Sequence, residues 1–273
     1  MGSANEELDG KHGVQSLEVG MSILRAMATG RRSMMLKEIA EAAGMPPSKA
    51  HRYLVSLIRS GLVEQDRLTS RYDLGPFALN LGLVALDRID RIRLGLLAIT
   101  DLRDETNETV ALTVWSDAGP VVVRWERPRR PITVNVVTGT HLSLLRSAGG
   151  RVFAAWLPER QTEALLRREL ETGRAPAGVA NLEDARALLA QVRESGVVVL
   201  SGDYFARGVE AAAAPVFNFK NEITMAIAIV GVEGSMDLSM DGETIAALRR
   251  TAAALSRRLG ATLDSLAMDA DIQ

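Results

Sequence analysis

The 273-residue chain contains no cysteine. That excludes a disulfide framework, a thiolate metal site and a cysteine nucleophile. Histidine is scarce: His12, His51 and His141 are the three present, too scattered in sequence to suggest a metal cluster. Long apolar runs are missing too, so no segment reaches the roughly 20 residues that a bilayer-spanning helix needs. The N-terminus, MGSANEELDGKHG, is polar and acidic and lacks the apolar stretch of a secretory signal. A soluble cytoplasmic protein is the expectation, with no membrane partner, and Asn107-Glu108-Thr109 is then a chance match to the glycosylation sequon. Catalytic fingerprints are absent as well: there is no GxSxG, HExxH, Walker or Rossmann pattern. No internal repeat is visible, and low complexity is confined to the polar ends.

What is present is a chain 47% hydrophobic and long enough for one large domain or two smaller ones. The net charge of −2 argues against a nucleic-acid binder until it is divided along the sequence. Residues 11–75 hold ten basic side chains against six acidic ones (Glu18, Glu38, Glu41, Glu64, Asp66 and Asp73). The remainder is mildly acidic, as expected when one part meets DNA and the other does not.

Within that basic stretch, Val14, Leu17, Met21, Leu24 and Ala28 recur at helical spacing and predict a first amphipathic helix ending near Gly30. Leu36, Ile39, Ala40 and Ala43 predict a second, about two turns long, stopped by Gly44, which can take the positive φ of a sharp turn. Pro46-Pro47-Ser48 then starts a third, because proline is tolerated in a first turn where its missing N–H has no partner to lose. Ala50, Leu54, Leu57 and Ile58 face inward on it. Ser48, Lys49, Arg52, Ser56 and Arg59 form its outer face, with His51 and Tyr53 at the borders. After Ser60-Gly61, LVEQDRLTSRYDLG reads as two short strands around a turn, with Arg67, Ser70 and Arg71 near the tip. A basic outer face alone is a property of many solvated helices. Four parts in order within about 65 residues make a winged helix-turn-helix. Ser48, Lys49, His51 and Arg52 are expected at base edges or phosphates, and Tyr53, Arg67 and Arg71 mainly on the backbone.

Downstream, Phe77, Leu81, Val84 and Leu86 predict a connecting helix. With Leu79 and Leu83 it is either a dimer seam or buried within the same chain. A further helix is expected from Leu94 to Thr106, then strands at Val110–Ser116, Pro120–Glu126 and Ile132–Val136. Helices follow at Gly150–Leu157, Pro158–Glu171 and Leu182–Ser195, strands at Val197–Leu200, Glu210–Phe217 and Ile223–Val232, and a helix from Gly242 to Leu266. This order predicts an α+β domain with a curved, mostly antiparallel sheet. The expected divisions are a polar tail (1–12), the DNA-binding domain (13–75), a linker helix (76–91) and an effector-binding and oligomerisation domain (92–267).

The segments LEVGMSILRAM, LKEIAEAAGMPPSKAHRYLVSLIRSGLVEQD, RYDLGPFALNLG, GTHLSLLRSAGGRVFAAWLP and GVEAAAAPVFNFKNEITMAIAIVG resemble the successive signatures of IclR-type bacterial transcriptional regulators, over about residues 13–265. The resemblance implies a winged-helix reader, a linker helix and a GAF-like C-terminal domain that binds a small-molecule effector. It also implies homodimers or homotetramers on pseudo-palindromic double-stranded operators.

The resemblance further implies that the effector lies against Ala148 and Gly149. In members that take small oxo-acids, polar side chains fill the positions of Ser201, Ala211, Ala228 and Val230. Here only Ser201 keeps a hydroxyl. An apolar wall cannot replace the water stripped from a compact anion, so it predicts an aromatic or mainly apolar effector. Leu144, Trp115, Trp125, Phe153 and Phe205 are its expected neighbours, unless these aromatics are core. Alanine at position 211, where such members carry cysteine, argues against a metal, and no cofactor is expected.

Other readings of the second domain remain open from sequence. Gly149-Gly150-Arg151 either cradles an anion or makes a tight strand-to-helix junction. Asp203 and Glu210 are candidate paired carboxylates, but no nucleophile, base or metal partner is in view, so catalysis is the weaker hypothesis. A ligand-free oligomerisation module is the third class.

Overall fold

The computed structural model describes residues 13–30, 33–129, 138–173, 175–202 and 208–262. The chain divides into two compact units, one up to Ile89 and one from Asp90 onward.

The first unit contains helices α1 (Gln15–Thr29), α2 (Leu36–Ala42) and α3 (Pro47–Arg59), strands β1 (Val63–Gln65) and β2 (Tyr72–Leu74), and helix α4 (Pro76–Arg88). Its core is Ile23, Met27, Met34, Ile39, Ala40, Ala50, Leu54, Val63 and Tyr72. α2 stops where Gly44 takes φ +64°, and α3 begins with Pro47 in its first turn. β1 and β2 pair antiparallel, and Met34 adds a bridge to Tyr72 through reciprocal backbone hydrogen bonds of 3.0 and 2.8 Å. The predicted α1 forms, but it turns another face inward. Ile23 and Met27 are buried, whereas Val14 and Leu17 are each 66% exposed. Gly20 faces the ring of Tyr53, which fixes the helix rotation.

Among the described residues, the second unit holds a five-stranded sheet in the order β4-β3-β7-β6-β5, with every pairing antiparallel. Its strands are β3 (Thr109–Ser116), β4 (Gly119–Glu126), β5 (Val198–Leu200), β6 (Val209–Phe217) and β7 (Ile223–Val232). Helices α5 (Arg91–Thr106) and α9 (Glu243–Arg258) cover one face. α6 (Ala148–Trp156) lies on the other, backed by α8 (Leu182–Ser195) and α7 (Glu159–Glu171). Side chains alternate along each strand, so Leu112, Ile227 and Ile229 serve the first layer while Ala111, Ala213, Ala228 and Val230 serve the second. The expected strand at Ile132–Val136 lies outside the described residues. α5 begins three residues earlier than predicted because Asp90 caps it, accepting the Arg93 N–H at 2.9 Å. α9 stops at Arg258 rather than near Leu266, and Gly260 follows with φ +87°.

Candidate functional site

Two surfaces concern function, one in each unit. On α3, Ser48, His51, Arg52, Ser56 and Arg59 are exposed and Lys49 is half-buried, opposite the face that buries Ala50 and Leu54. This polar, basic face is open to a ligand the size of DNA. The half-buried ring of Tyr53 packs against the core below Gly20.

The wing is held by its own turn. The Asp66 carboxylate accepts the Leu68 N–H at 2.7 Å and the Thr69 N–H at 3.3 Å, and Ser70 takes φ +57°. The Leu68 hydrogen bond, followed by those from Thr69, holds the Asp66 carboxyl below its ordinary value. Arg67 stands exposed at the tip. Arg71 points back instead: it donates to the Ser33 carbonyl at 2.9 Å and lies 3.6 Å from the Glu38 carboxylate. It ties the wing to the start of α2.

In the second unit, a cavity of about 40 Å³ lies between the sheet and α6. Its origin is a dent in the sheet. Ala228 on β7 is opposite Ala111 on β3 and Ala213 on β6, and Ala211 is opposite Val230, so methyl groups stand where strands usually carry branched side chains. Ala111, Ala148, Gly149, Ala211, Ala228 and Val230 line it, joined by Thr113, Val122, Trp125, Leu142, Ser147 and Val209. Val122 and Trp125 are three residues apart and would point to opposite faces of a regular strand. A register shift between Leu112 and Thr113 leaves an extra residue on β4 and brings both to the cavity side.

The α6 N-terminus closes the opposite wall. Ser147 caps it, accepting the Gly150 N–H at 3.0 Å and donating to the Ser143 carbonyl at 2.7 Å. A Cβ at Gly150 would lie 1.9 Å from the Ser143 oxygen. Gly150 is thus a tight junction, while Gly149 faces the cavity. The loop before α6 is clasped by Glu169 of α7, whose carboxylate accepts the Ser143 hydroxyl (2.7 Å) and the Leu144 (2.7 Å) and Leu145 (3.0 Å) N–H groups.

Two expected effector contacts fall elsewhere. Leu144 is fully buried in the core behind the loop and does not line the cavity. Ser201 is exposed beyond the end of β5. Trp115 lines a separate open groove of about 650 Å³ with Trp156, Arg91 and Arg160, and Phe153 is core. Asp203 and Phe205 lie outside the described residues. Glu210 is a structural clasp: its buried carboxylate accepts the Gly234 N–H at 3.1 Å and the Met236 N–H at 2.9 Å. Among the described residues there is no group of three or more His, Asp or Glu side chains able to hold a metal ion, and no helix long and apolar enough to cross a membrane.

The family model for the IclR helix-turn-helix domain matches residues 16–67, and that for the bacterial transcriptional regulator IclR C-terminal domain matches residues 84–257. The chain belongs to the IclR family. It is 31% identical to the glycerol operon regulatory protein of Streptomyces coelicolor over 91% of this chain and 97% of the relative. The transcriptional repressor IclR of Escherichia coli is 28% identical over 80% of each chain. Among solved structures, HmgR of Pseudomonas aeruginosa superposes with a TM-score of 0.79 at 39% identity, covering 91% of this chain and 99% of that one.

The IclR-type architecture was legible from motifs, but Thr113, Ser147 and Val209 were not expected in the cavity. Threonine and valine in a strand read as ordinary sheet formers. Only the pairing partners and the bulge on β4 show that they face the dent.

Proposed function

We propose that this IclR-family regulator binds a pseudo-palindromic operator as a homo-oligomer and releases or engages it when a mainly apolar, aromatic effector enters the cavity under α6. The observation that carries the reading is that cavity, whose wall is built from alanine and valine at Ala111, Ala211, Ala228 and Val230. A compact, highly charged acid finds no side-chain charge there to replace its hydration, whereas a flat ring loses little on leaving water. A Microbacterium hydrocarbonoxydans IclR homologue, 20% identical with a TM-score of 0.54, was crystallised with 4-hydroxybenzoate. At that identity the likeness speaks for the fold, and a fold able to hold an aromatic acid is compatible with the reading.

Ser48, Lys49, His51 and Arg52 on α3 read the major groove, and Arg67 at the wing tip meets the backbone. One such reader spans too few base pairs for discrimination in a genome, so two related by a two-fold axis are required. α4 supplies an apolar face for that pairing. Phe77, Leu79, Leu81, Leu83 and Val84 are all exposed, between 46% and 63%. Light scattering at micromolar concentration gives a dimer or a tetramer, and a monomer alone would contradict the pairing. The effector reading is tested by calorimetric titration of the full chain with benzoate, 4-hydroxybenzoate, glyoxylate and pyruvate: the aromatic acids bind and the oxo-acids do not.

A further inference from the structure

The cavity wall carries three polar side chains, Thr113, Trp125 and Ser147, and two of them are unpartnered among the described residues. Thr113 is fully buried, and among the described residues its hydroxyl has no hydrogen-bond partner; the buried indole Nε1 of Trp125 has none either. Both residues line the cavity. A buried hydroxyl or indole N–H without a partner costs about 1–3 kcal/mol, so such groups are retained where something else satisfies them. The other polar side chain in the lining, Ser147, is satisfied within the fold by the α6 cap.

The two groups stand at different places on the cavity wall. The Thr113 hydroxyl is 3.4 Å from where a Cβ would sit on Gly149, which places it beside the first turn of α6. In that turn the Gly150 N–H is taken by Ser147, and the first helical bond runs from Arg151 N–H to Ser147 O. Helix geometry gives the N–H groups of Ala148 and Gly149 no carbonyl within α6, and the positive end of the helix favours an anion there. Trp125 lies on β4, opposite Ala111, one inward-facing position along β3 from Thr113. Consecutive inward-facing positions on a strand are about 6.6 Å apart, on the scale of an aromatic ring. Ala111 and, beyond it, Ala228 continue the row of Trp125 across the sheet, so their methyl groups form the floor beside the step to Thr113.

Resting on the effector reading above, we propose that Thr113 and Trp125 are the specificity pair of this cavity and that the ligand is a ring carrying a carboxylate at one end and a hydroxyl or carbonyl oxygen at the other. The carboxylate sits at the α6 N-terminus and accepts the Thr113 hydroxyl proton. The distal oxygen accepts the Trp125 N–H, a group that can only donate. The ring lies on the alanine dent. Apolar cavities that take benzene are about 150 Å³, and this one is about 40 Å³, so the loop over Leu142 to Ser147 shifts outward as the ring enters.

The test is calorimetric titration of full-length protein with benzoate and with 3- and 4-hydroxybenzoate, for the native chain and for Thr113→Val, Thr113→Ser and Trp125→Phe. The native chain prefers at least one hydroxybenzoate to benzoate. Trp125→Phe removes that preference, bringing the ratio of hydroxybenzoate to benzoate affinity to about one. Thr113→Val weakens every ligand by about tenfold, Thr113→Ser restores binding, and Thr113→Val also raises the unfolding temperature of the ligand-free protein, because an unsatisfied hydroxyl is replaced by a methyl of the same shape. A purely structural threonine would lower that temperature. Equal loss of benzoate and hydroxybenzoates in Trp125→Phe, or unaltered binding in Thr113→Val, overturns the specificity pair while leaving the aromatic-effector reading intact. Failure of all three acids to bind the native chain overturns both.

Discussion

Ala228 and Ala111 stand directly opposite one another in the β3–β7 ladder, and the space above that pair is the floor of the cavity. Two methyl groups set its depth. Ala228→Val therefore fills most of about 40 Å³ with the volume already available. The expected result is an unfolding free energy within about 1 kcal/mol of the native value, since a small void is filled without forcing the strands apart. Binding of benzoate-type ligands is lost and DNA binding is kept. Urea denaturation, calorimetry and mobility shift measure the three quantities. Ala228→Trp exceeds the space and destabilises the domain, so it is the poorer probe.

The neighbouring glycines of α6 separate a packing requirement from a ligand requirement. A Cβ on Gly150 would lie 1.9 Å from a backbone oxygen, whereas one on Gly149 meets Leu142 and Thr113 side chains at 3.4 Å. Gly150→Ala must displace the 143–147 loop and is expected to cost at least about 2 kcal/mol, read as a shift in urea midpoint. Gly149→Ala folds within about 1 kcal/mol of native stability but narrows the cavity beside Thr113, so its calorimetric signal with aromatic acids falls.

Glu169 holds the loop that carries Leu142 and Ser147 to the cavity. Its carboxylate accepts three hydrogen bonds, from Ser143, Leu144 and Leu145. Glu169→Ala removes the acceptor of the Ser143 hydroxyl and the Leu144 N–H in a partly buried place and leaves the Leu145 N–H only its longer bond to the Ser143 hydroxyl at 3.3 Å, with an expected loss of about 1–3 kcal/mol by urea denaturation. Glu169→Gln keeps one acceptor oxygen and loses less. Ligand affinity follows the same order, because the α6 N-terminus is positioned through this loop.

In the DNA-binding unit, Arg52 and Arg71 separate in kind. Arg52 is exposed on α3, and Arg52→Ala is expected to weaken operator binding by about 1–3 kcal/mol with relaxed preference at one base pair, in mobility shifts on the promoter of its own gene. Arg71 is bound to Ser33 and Glu38. Arg71→Ala lowers the thermal stability of the first unit and weakens all DNA sequences alike. A base-specific defect in Arg71→Ala would contradict its role as a tether.

The arrangement of helices and strands was legible because hydrophobic period, proline starts and glycine stops are local signals. Gly44, Pro47 and the valine-rich runs of β3 and β4 mark their own elements. Rotation about a helix axis is not local. Val14, Leu17 and Met21 form as good an apolar stripe on α1 as Ile23 and Met27, and the choice depends on where the Tyr53 ring lies. Arg71 reads as a free cation at a hairpin tip until Ser33 and Glu38 are brought beside it by the fold. The cavity is the least legible feature, since it is made by missing volume. Ala211, Ala228 and Val230 were identified by their apolar character, but Ser201 and Leu144 occupy positions that only the three-dimensional path of β5 and the 143–147 loop reveals. Trp125 was already an expected neighbour of the effector, but its role as a donor, and Thr113 altogether, came into view only through the absence of partners among the described residues.

The central claim is that a mainly apolar cavity in an IclR-family chain couples an aromatic ligand to operator binding. Fluorescence anisotropy of a labelled duplex from the protein's own promoter, titrated with full-length protein in the presence of 4-hydroxybenzoate, benzoate, pyruvate or glyoxylate, tests it most directly. The account predicts that at least one aromatic acid shifts the operator-binding curve and that neither oxo-acid does. A shift with pyruvate or glyoxylate and none with either aromatic acid would contradict it.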